Sequence, residues 1–145
     1  MSMFTAGAFG MVVAHKASIA GAEGGCQAEI GSASAMAAGA ITYLEGGDDE
    51  AIVHAAALAL KNMLGLTCDP VGGLVEVPCI KRNVSGAVNA IISSQMAIAG
   101  IRSRIPPDEV IDSMRRIGNL LPECLRETGK EGLATTPTAL RAQEA

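Results

Sequence analysis

The stretch "CQAEIGSASAMAAGAITYLEGG" at residues 26–47 decides the architecture. After Cys26 nothing interrupts a helix until about Glu45, and Gly46 and Gly47 then stop it, as glycines just past a helix C-terminus do. Gly31, Ala35 and Gly39 recur along it at helical spacing, and residues this small let a neighbouring helix approach more closely than bulky side chains allow. Such a helix is one surrounded by other helices. The chain is therefore read as all-α, with about five packed helices and a Gly/Pro-containing two-cysteine loop between the third and the fourth.

Composition agrees with close helix packing. Of 145 residues, 49% are apolar but only 2% aromatic, with no Trp, one Tyr and 17 Gly, so apolar area comes from Ala, Ile, Leu, Val and Met. The length corresponds to one domain, residues 1–145, around one core. Upstream of the central stretch, a helix is expected over residues 3–19, though Gly7 and Gly10 each weaken it by about 1 kcal/mol relative to Ala, and "GAEGG" at 21–25 reads as a loop. Downstream, Asp48 is an N-cap, and Asp49 and Glu50 set negative charge against the positive end of the next helix dipole. That third helix carries Ile52, Ala55, Ala56, Ala59 and Met63 on one face and stops at Gly65. Val84, Val88 and Ile91 mark a fourth helix over residues 82–99. Pro106 and Pro107 open a fifth, with Val110, Met114, Ile117 and Leu121 as its buried stripe and Pro122 as its interruption. No strand-like alternation is longer than "LVEV" at 74–77. A short turn is expected over 123–127, and the tail "ATTPTALRAQEA" at 134–145 is expected to be loosely held, or held by something outside this chain.

The net charge is −4 and the basic residues are scattered, with no aromatic partners beside them, which argues against nucleic-acid binding. The apolar run at 3–14 is too short to span a bilayer and has no basic leader of the signal-peptide kind, so no membrane association and a cytoplasmic location are expected. In a reducing compartment four cysteines favour metal binding or reactive thiols over a disulfide framework.

The cysteines stand at 26, 68, 79 and 124. The first three each lie beside Gly or Pro, in "EGGCQAE", "LTCDPVGG" and "EVPCIKRN". Cys124, in "LLPECLRETG", has no adjacent glycine and reads as a half-buried thiol that fills space. Separations of 42 and 11 residues contain no C-x-x-C knuckle of the structural zinc kind. Zinc is thus a weaker candidate than an iron–sulfur cluster, whose thiolates can come from distant loops and whose sulfides need close backbone approach. Gly24, Gly25, Gly72 and Gly73 would permit that approach, while buried thiols with no metal remain the alternative that spacing leaves open. Lys81 and Arg82, just after Cys79, would supply positive potential to thiolates; with Asn83 they are candidates for an anion site, or else solvated surface groups. Gln27 and Glu29 are placed to hydrogen-bond cluster sulfides or loop amides, Glu29 alternatively as a capping residue three after Cys26. His15 and His54 lie in predicted helices away from the cysteines and read as packing or surface residues.

The segments "SIAGAEGGCQAEIGSASAMAAGAI", "KNMLGLTCDPVGGLVEVPCIKRN" and "LRETGKEGLATTPT" together resemble the C-terminal half of the alpha subunit of the iron–sulfur-dependent L-serine dehydratase (L-serine ammonia-lyase) family, and the resemblance covers essentially the whole chain. It implies a 4Fe-4S cluster held by Cys26, Cys68 and Cys79, with one iron lacking a protein thiolate and acting as Lewis acid on the serine hydroxyl. It further implies deamination of L-serine to pyruvate and ammonia without pyridoxal phosphate, and makes Lys81, Arg82 and Asn83 candidates for the serine carboxylate. The family's other functional segments, the N-terminal part of the alpha subunit and the Ser-His-Thr region of the beta subunit or domain, are not in this sequence. The resemblance therefore implies an incomplete active site, inactivity of this chain alone and dependence on those partner segments, and the Ala/Met-rich faces that the missing half leaves exposed are expected to drive homo-oligomer formation.

Overall fold

The computed structural model describes residues 1–144. Among them lie seven α-helices: α1 (Ser2–Lys16), α2 (Gly21–Gly24), α3 (Ser32–Leu44), α4 (Asp49–Asn62), α5 (Cys79–Ile98), α6 (Pro107–Leu120) and α7 (Pro137–Gln143). The all-α expectation holds, and no strand occurs among the described residues; a single isolated bridge pairs Cys68 with Arg126. The "LVEV" segment is a turn.

The helix count exceeds five for local reasons. "GAEGG", expected as a loop, forms one helical turn, α2, closed by the Gly25 N–H donating to the Gly21 carbonyl at 2.8 Å. The 134–145 tail, expected to be loose, is ordered through residue 144: Gly132–Thr135 makes a 3₁₀ turn with Ala134 fully buried, and the Thr136 side chain caps α7. Ala145, the last residue of that tail, lies outside the described residues. Helix α4 begins where Asp48 is expected to cap it, Oδ1 accepting from the Ala51 N–H at 2.7 Å, an arrangement that stabilises a helix by about 1 kcal/mol.

Helix α3 packs against α1, α4 and α5, and its small residues are the reason. A side chain added at Gly39 would lie 2.6 Å from the Phe9 ring of α1, and one at Gly31 would crowd Met63 and Leu60 beside α4. On the α5 side the contact is made by small and hydroxyl-bearing residues: Ser34 Oγ donates to the Gly86 carbonyl (2.8 Å) and Thr42 Oγ1 to Ser94 Oγ (2.9 Å). Asn89 closes the three-helix junction, its amide donating to Ser34 Oγ and to the Ala59 carbonyl of α4. Satisfied buried polar groups of this kind select one packing arrangement, since any other leaves them unpaired.

Val84, Val88 and Ile91 do lie on a helix, but on its outer side, where with Ile80 they are exposed. The buried side of α5 is its small-residue side, Gly86, Ala90, Ser93, Ser94 and Ala97, because only that side can approach α3 this closely. Helix α6 instead buries Val110, Ile111 and Met114 in a cluster with Val13, Ala35, Ala56 and Leu60. None of the described helices is long and apolar enough to cross a membrane.

Candidate metal centre

Cys26, Cys68 and Cys79 are brought to one end of the α3–α5 pair, and all three are buried, at 1%, 2% and 4% exposure. Cys26 precedes a π-helical turn, Gln27–Gly31, that leads directly into α3; π turns are uncommon and often lie at functional positions. The conformation just before it requires glycine: Gly25 has φ 75° and ψ −178°, a region open to essentially no other residue, and a Cβ there would sit 2.8 Å from the Leu66 carbonyl oxygen. Gly25→Ala is expected to destabilise the chain by about 2 kcal/mol, read as a lowered urea midpoint with unchanged slope; an unchanged midpoint would show that the turn is not strained.

The chain next to Cys26 is tied to the chain next to Cys68 by one side chain. Gln27, fully buried, accepts from the Gly65 N–H at 2.9 Å and donates to the Met114 carbonyl at 3.0 Å, while its own N–H donates to the Leu66 carbonyl. Cys68 is held on its other side by a backbone pair, its N–H donating to Leu125 and its carbonyl accepting from Glu127, each at 2.8 Å. The two sulfurs pack with Ile30 and Leu66 in a small apolar cluster. Cys79 opens α5, and the Asn83 amide donates to its carbonyl at 3.0 Å.

Arg82 reaches this group from the first turns of α5. Its Nη1 donates to Asp69 Oδ1 (2.7 Å) and the Thr67 carbonyl (2.8 Å), and lies 3.8 Å from Cys26 Sγ. Burial works against its charge, but the hydrogen bond and charge of Asp69, with Cys26, outweigh it and hold the guanidinium above its ordinary pKa. Asp69 is itself buried, and its second oxygen accepts from the Leu133 N–H at 2.8 Å. The segment 128–135 thereby folds over the 68–73 loop. Gly132 and Gly129 allow it, since a Cβ at the first would meet Asp69 Oδ2 at 2.6 Å and one at the second the Pro70 carbonyl at 3.0 Å.

Burial pushes all three thiols up, Cys68 the furthest; for Cys26 the Cys68 hydrogen bond and Arg82 oppose the rise, and for Cys79 the neighbouring Cys26 charge adds to it. Glu29 is also raised, by burial and by the Glu127 charge, against a hydrogen bond from the Gly21 backbone. Its carboxylate and the sulfurs of Cys26 and Cys68 all lie within 4.8 Å of one another. Glu29 thus faces the cysteines and Gly21, and the Cys26 cap position has no side-chain cap.

Of the other residues singled out in the sequence, Lys81 is exposed and makes no ion pair with a described residue, whereas Arg82 and Asn83 already have internal partners. Gly72 and Gly73 adopt positive φ in the loop turn, and Gly24 packs against Gly118. Cys124 is half-buried, as expected. His15 is exposed, and His54 Nδ1 accepts from the Ser103 N–H at 3.2 Å. Sequence reasoning passed over Asp69 and the tethering role of Gln27. The nearest signal was Asp69 directly after Cys68, together with the glycine pair at 129 and 132.

The donor set fits a soft metal centre: sulfur donors from three separated segments, a cation beside one of them, and loop backbone immobilised on both sides. Thiols buried this deeply would release their protons to solvent as a metal binds there.

Residues 1–134 match the family described as "Serine dehydratase alpha chain". The chain is 66% identical over 136 residues to the "Probable L-serine dehydratase, alpha chain" of Bacillus subtilis, covering 94% of this chain and 45% of that protein. It is 61% identical to the protein of the same name from Latilactobacillus sakei, covering 95% of this chain and 66% of that one. To the "L-serine dehydratase, alpha chain" of Peptoniphilus asaccharolyticus it is 54% identical, covering 89% of this chain and 44% of that one. The chain therefore spans between about half and two thirds of the length of these relatives.

Proposed function

From the premise that this chain belongs to the serine dehydratase alpha chain family, we propose that it is the cluster-binding part of an iron–sulfur-dependent L-serine dehydratase, a lyase that deaminates L-serine to pyruvate and ammonia without pyridoxal phosphate. The observation that carries this reading is the burial of Cys26, Cys68 and Cys79 at one end of the helix bundle beside Arg82. These three cysteines are the ligands of a 4Fe-4S cluster. The chemistry supplied by a bound cluster is Lewis-acid polarisation of the serine hydroxyl at an iron that no protein thiolate occupies.

The chain's own residues hold and shield that site. Gln27 and the Cys68 backbone pair fix the spacing between two ligand segments, and burial keeps water from the thiolates. Arg82 offsets thiolate charge at Cys26, with Asp69 setting its direction. Because Arg82 and Asn83 have internal partners, Lys81 is the member of the Lys81, Arg82 and Asn83 set left to attract the serine carboxylate. The reaction also needs a base that removes the α-proton, and the partners of this reading are the remaining alpha segment and the beta subunit or domain. The exposed apolar side of α5, starting one residue after Cys79, suits such a partner or a second copy of the chain. A cytoplasmic location goes with this reading.

The test is anaerobic reconstitution of this chain with iron and sulfide. The expected product is brown, with about four irons per chain, and Cys26→Ser, Cys68→Ser and Cys79→Ser each lose most of that iron. Undiminished iron in all three variants would overturn the ligand assignment.

A further inference from the structure

Cys79 stands apart from the tightest donor group at this site. The atoms that lie within 4.8 Å of one another are Cys26 Sγ, Cys68 Sγ and a Glu29 carboxylate oxygen. Metal–sulfur bonds of about 2.3 Å and metal–oxygen bonds of about 2.1 Å in a tetrahedron place such donors roughly 3.5 to 3.8 Å apart, so closure on one ion needs only small side-chain movement. We propose that Cys26, Cys68 and Glu29 form a binding site for a single divalent ion that accepts mixed thiolate and carboxylate ligation, such as Fe²⁺ or Zn²⁺, occupied when no cluster is present. The site shares two cysteines with the proposed cluster but does not depend on it.

Three features make this a built site. Both cysteines are buried while Glu29 is half-buried, which gives a protected sulfur pair with a path for the ion along the carboxylate side. The ligands are oriented from outside: the Glu29 carboxylate packs against Gly21 and Arg82 lies 3.8 Å from Cys26 Sγ, contacts of the kind that fix ligand geometry around metals. A Cβ at position 21 would fall 2.7 Å from Glu29 Oε2 and push the carboxylate aside. The local charge also calls for a cation. Glu127 is close enough to add its negative charge to that of Glu29, and the nearby Arg82 is matched by Asp69. Three protein ligands leave one position open, the arrangement of ions that exchange or react. On binding, each thiol loses its proton to solvent and forms a metal–sulfur bond, with no change of oxidation state.

The experiment is an anaerobic Co²⁺ titration of the reduced chain, following sulfur-to-cobalt charge-transfer absorption. One Co²⁺ per chain is expected. Cys26→Ser and Cys68→Ser abolish the band, Glu29→Gln weakens binding at least tenfold, and Cys79→Ser leaves affinity within about threefold. Far-ultraviolet circular dichroism on every variant identifies any that fails to fold, and for such a variant the aspartate change Glu29→Asp or the alanine change at the same cysteine takes its place. Equal loss in Cys79→Ser and Cys68→Ser, or full affinity in Glu29→Gln, overturns the proposal. Because cobalt is read without sulfide, failure of cluster reconstitution and failure of this site are separate results.

Discussion

Cys68→Ala in the complete enzyme, with all partner segments present, is expected to lose cluster iron and at least about a thousandfold in L-serine turnover, equivalent to roughly 4 kcal/mol of transition-state stabilisation. Cys68 is held at both backbone and side chain: its N–H and carbonyl are both bonded to the single segment 125–127, and its sulfur packs against Cys26 and Ile30. Cys124 is not among the residues gathered around its sulfur. Cys124→Ala is accordingly expected to keep both iron and turnover. The measurement is iron content alongside pyruvate formation, with the two variants purified anaerobically in parallel. Full turnover by Cys68→Ala would remove it from the ligand set.

The second large effect is on stability. Asp69→Ala is expected to cost about 3 kcal/mol, because it leaves a mostly buried guanidinium without its partner and strips the Leu133 N–H of its acceptor. For a chain of this length that lowers the thermal midpoint by roughly 10 °C. The double variant Asp69→Ala with Arg82→Ala should be less destabilised than the two single losses summed, since no unpaired charge remains. A melt of Asp69→Ala within about 1 °C of the parent would show that the pair contributes little. The same substitution should also free the 128–135 segment, read as faster amide exchange at Leu133 than in the parent.

Most of the helices could be read from local signals because their boundaries are local chemistry. Asp48 caps its helix through its own side chain, Pro107 can only open one, and Gly46 ends one with a positive φ that other residues avoid. The spacing of Gly31, Ala35 and Gly39 likewise carries its meaning along a single helix, since close approach depends only on what is absent at those positions. The family was legible for a similar reason: its motifs are continuous runs around Cys26 and between Cys68 and Cys79.

Other features depended on atoms far apart in sequence. Whether α5 turns Val84 or Gly86 inward cannot be decided by its own periodicity, since both faces are apolar or small; the shape of α3 and α4 selects the small one. The ordered 132–143 region has little helix signal beyond a Thr-Pro start, and what secures it is a carboxylate 64 residues away, Asp69. Glu29 looks like an ordinary helix-start residue until the fold sets Cys68 and Gly21 around it. Short-range backbone preferences thus determine where this chain is helical. The side-chain set that gathers around Cys26, Cys68 and Cys79 is determined by packing and by pairing such as that of Arg82 with Asp69, and both belong to the assembled molecule.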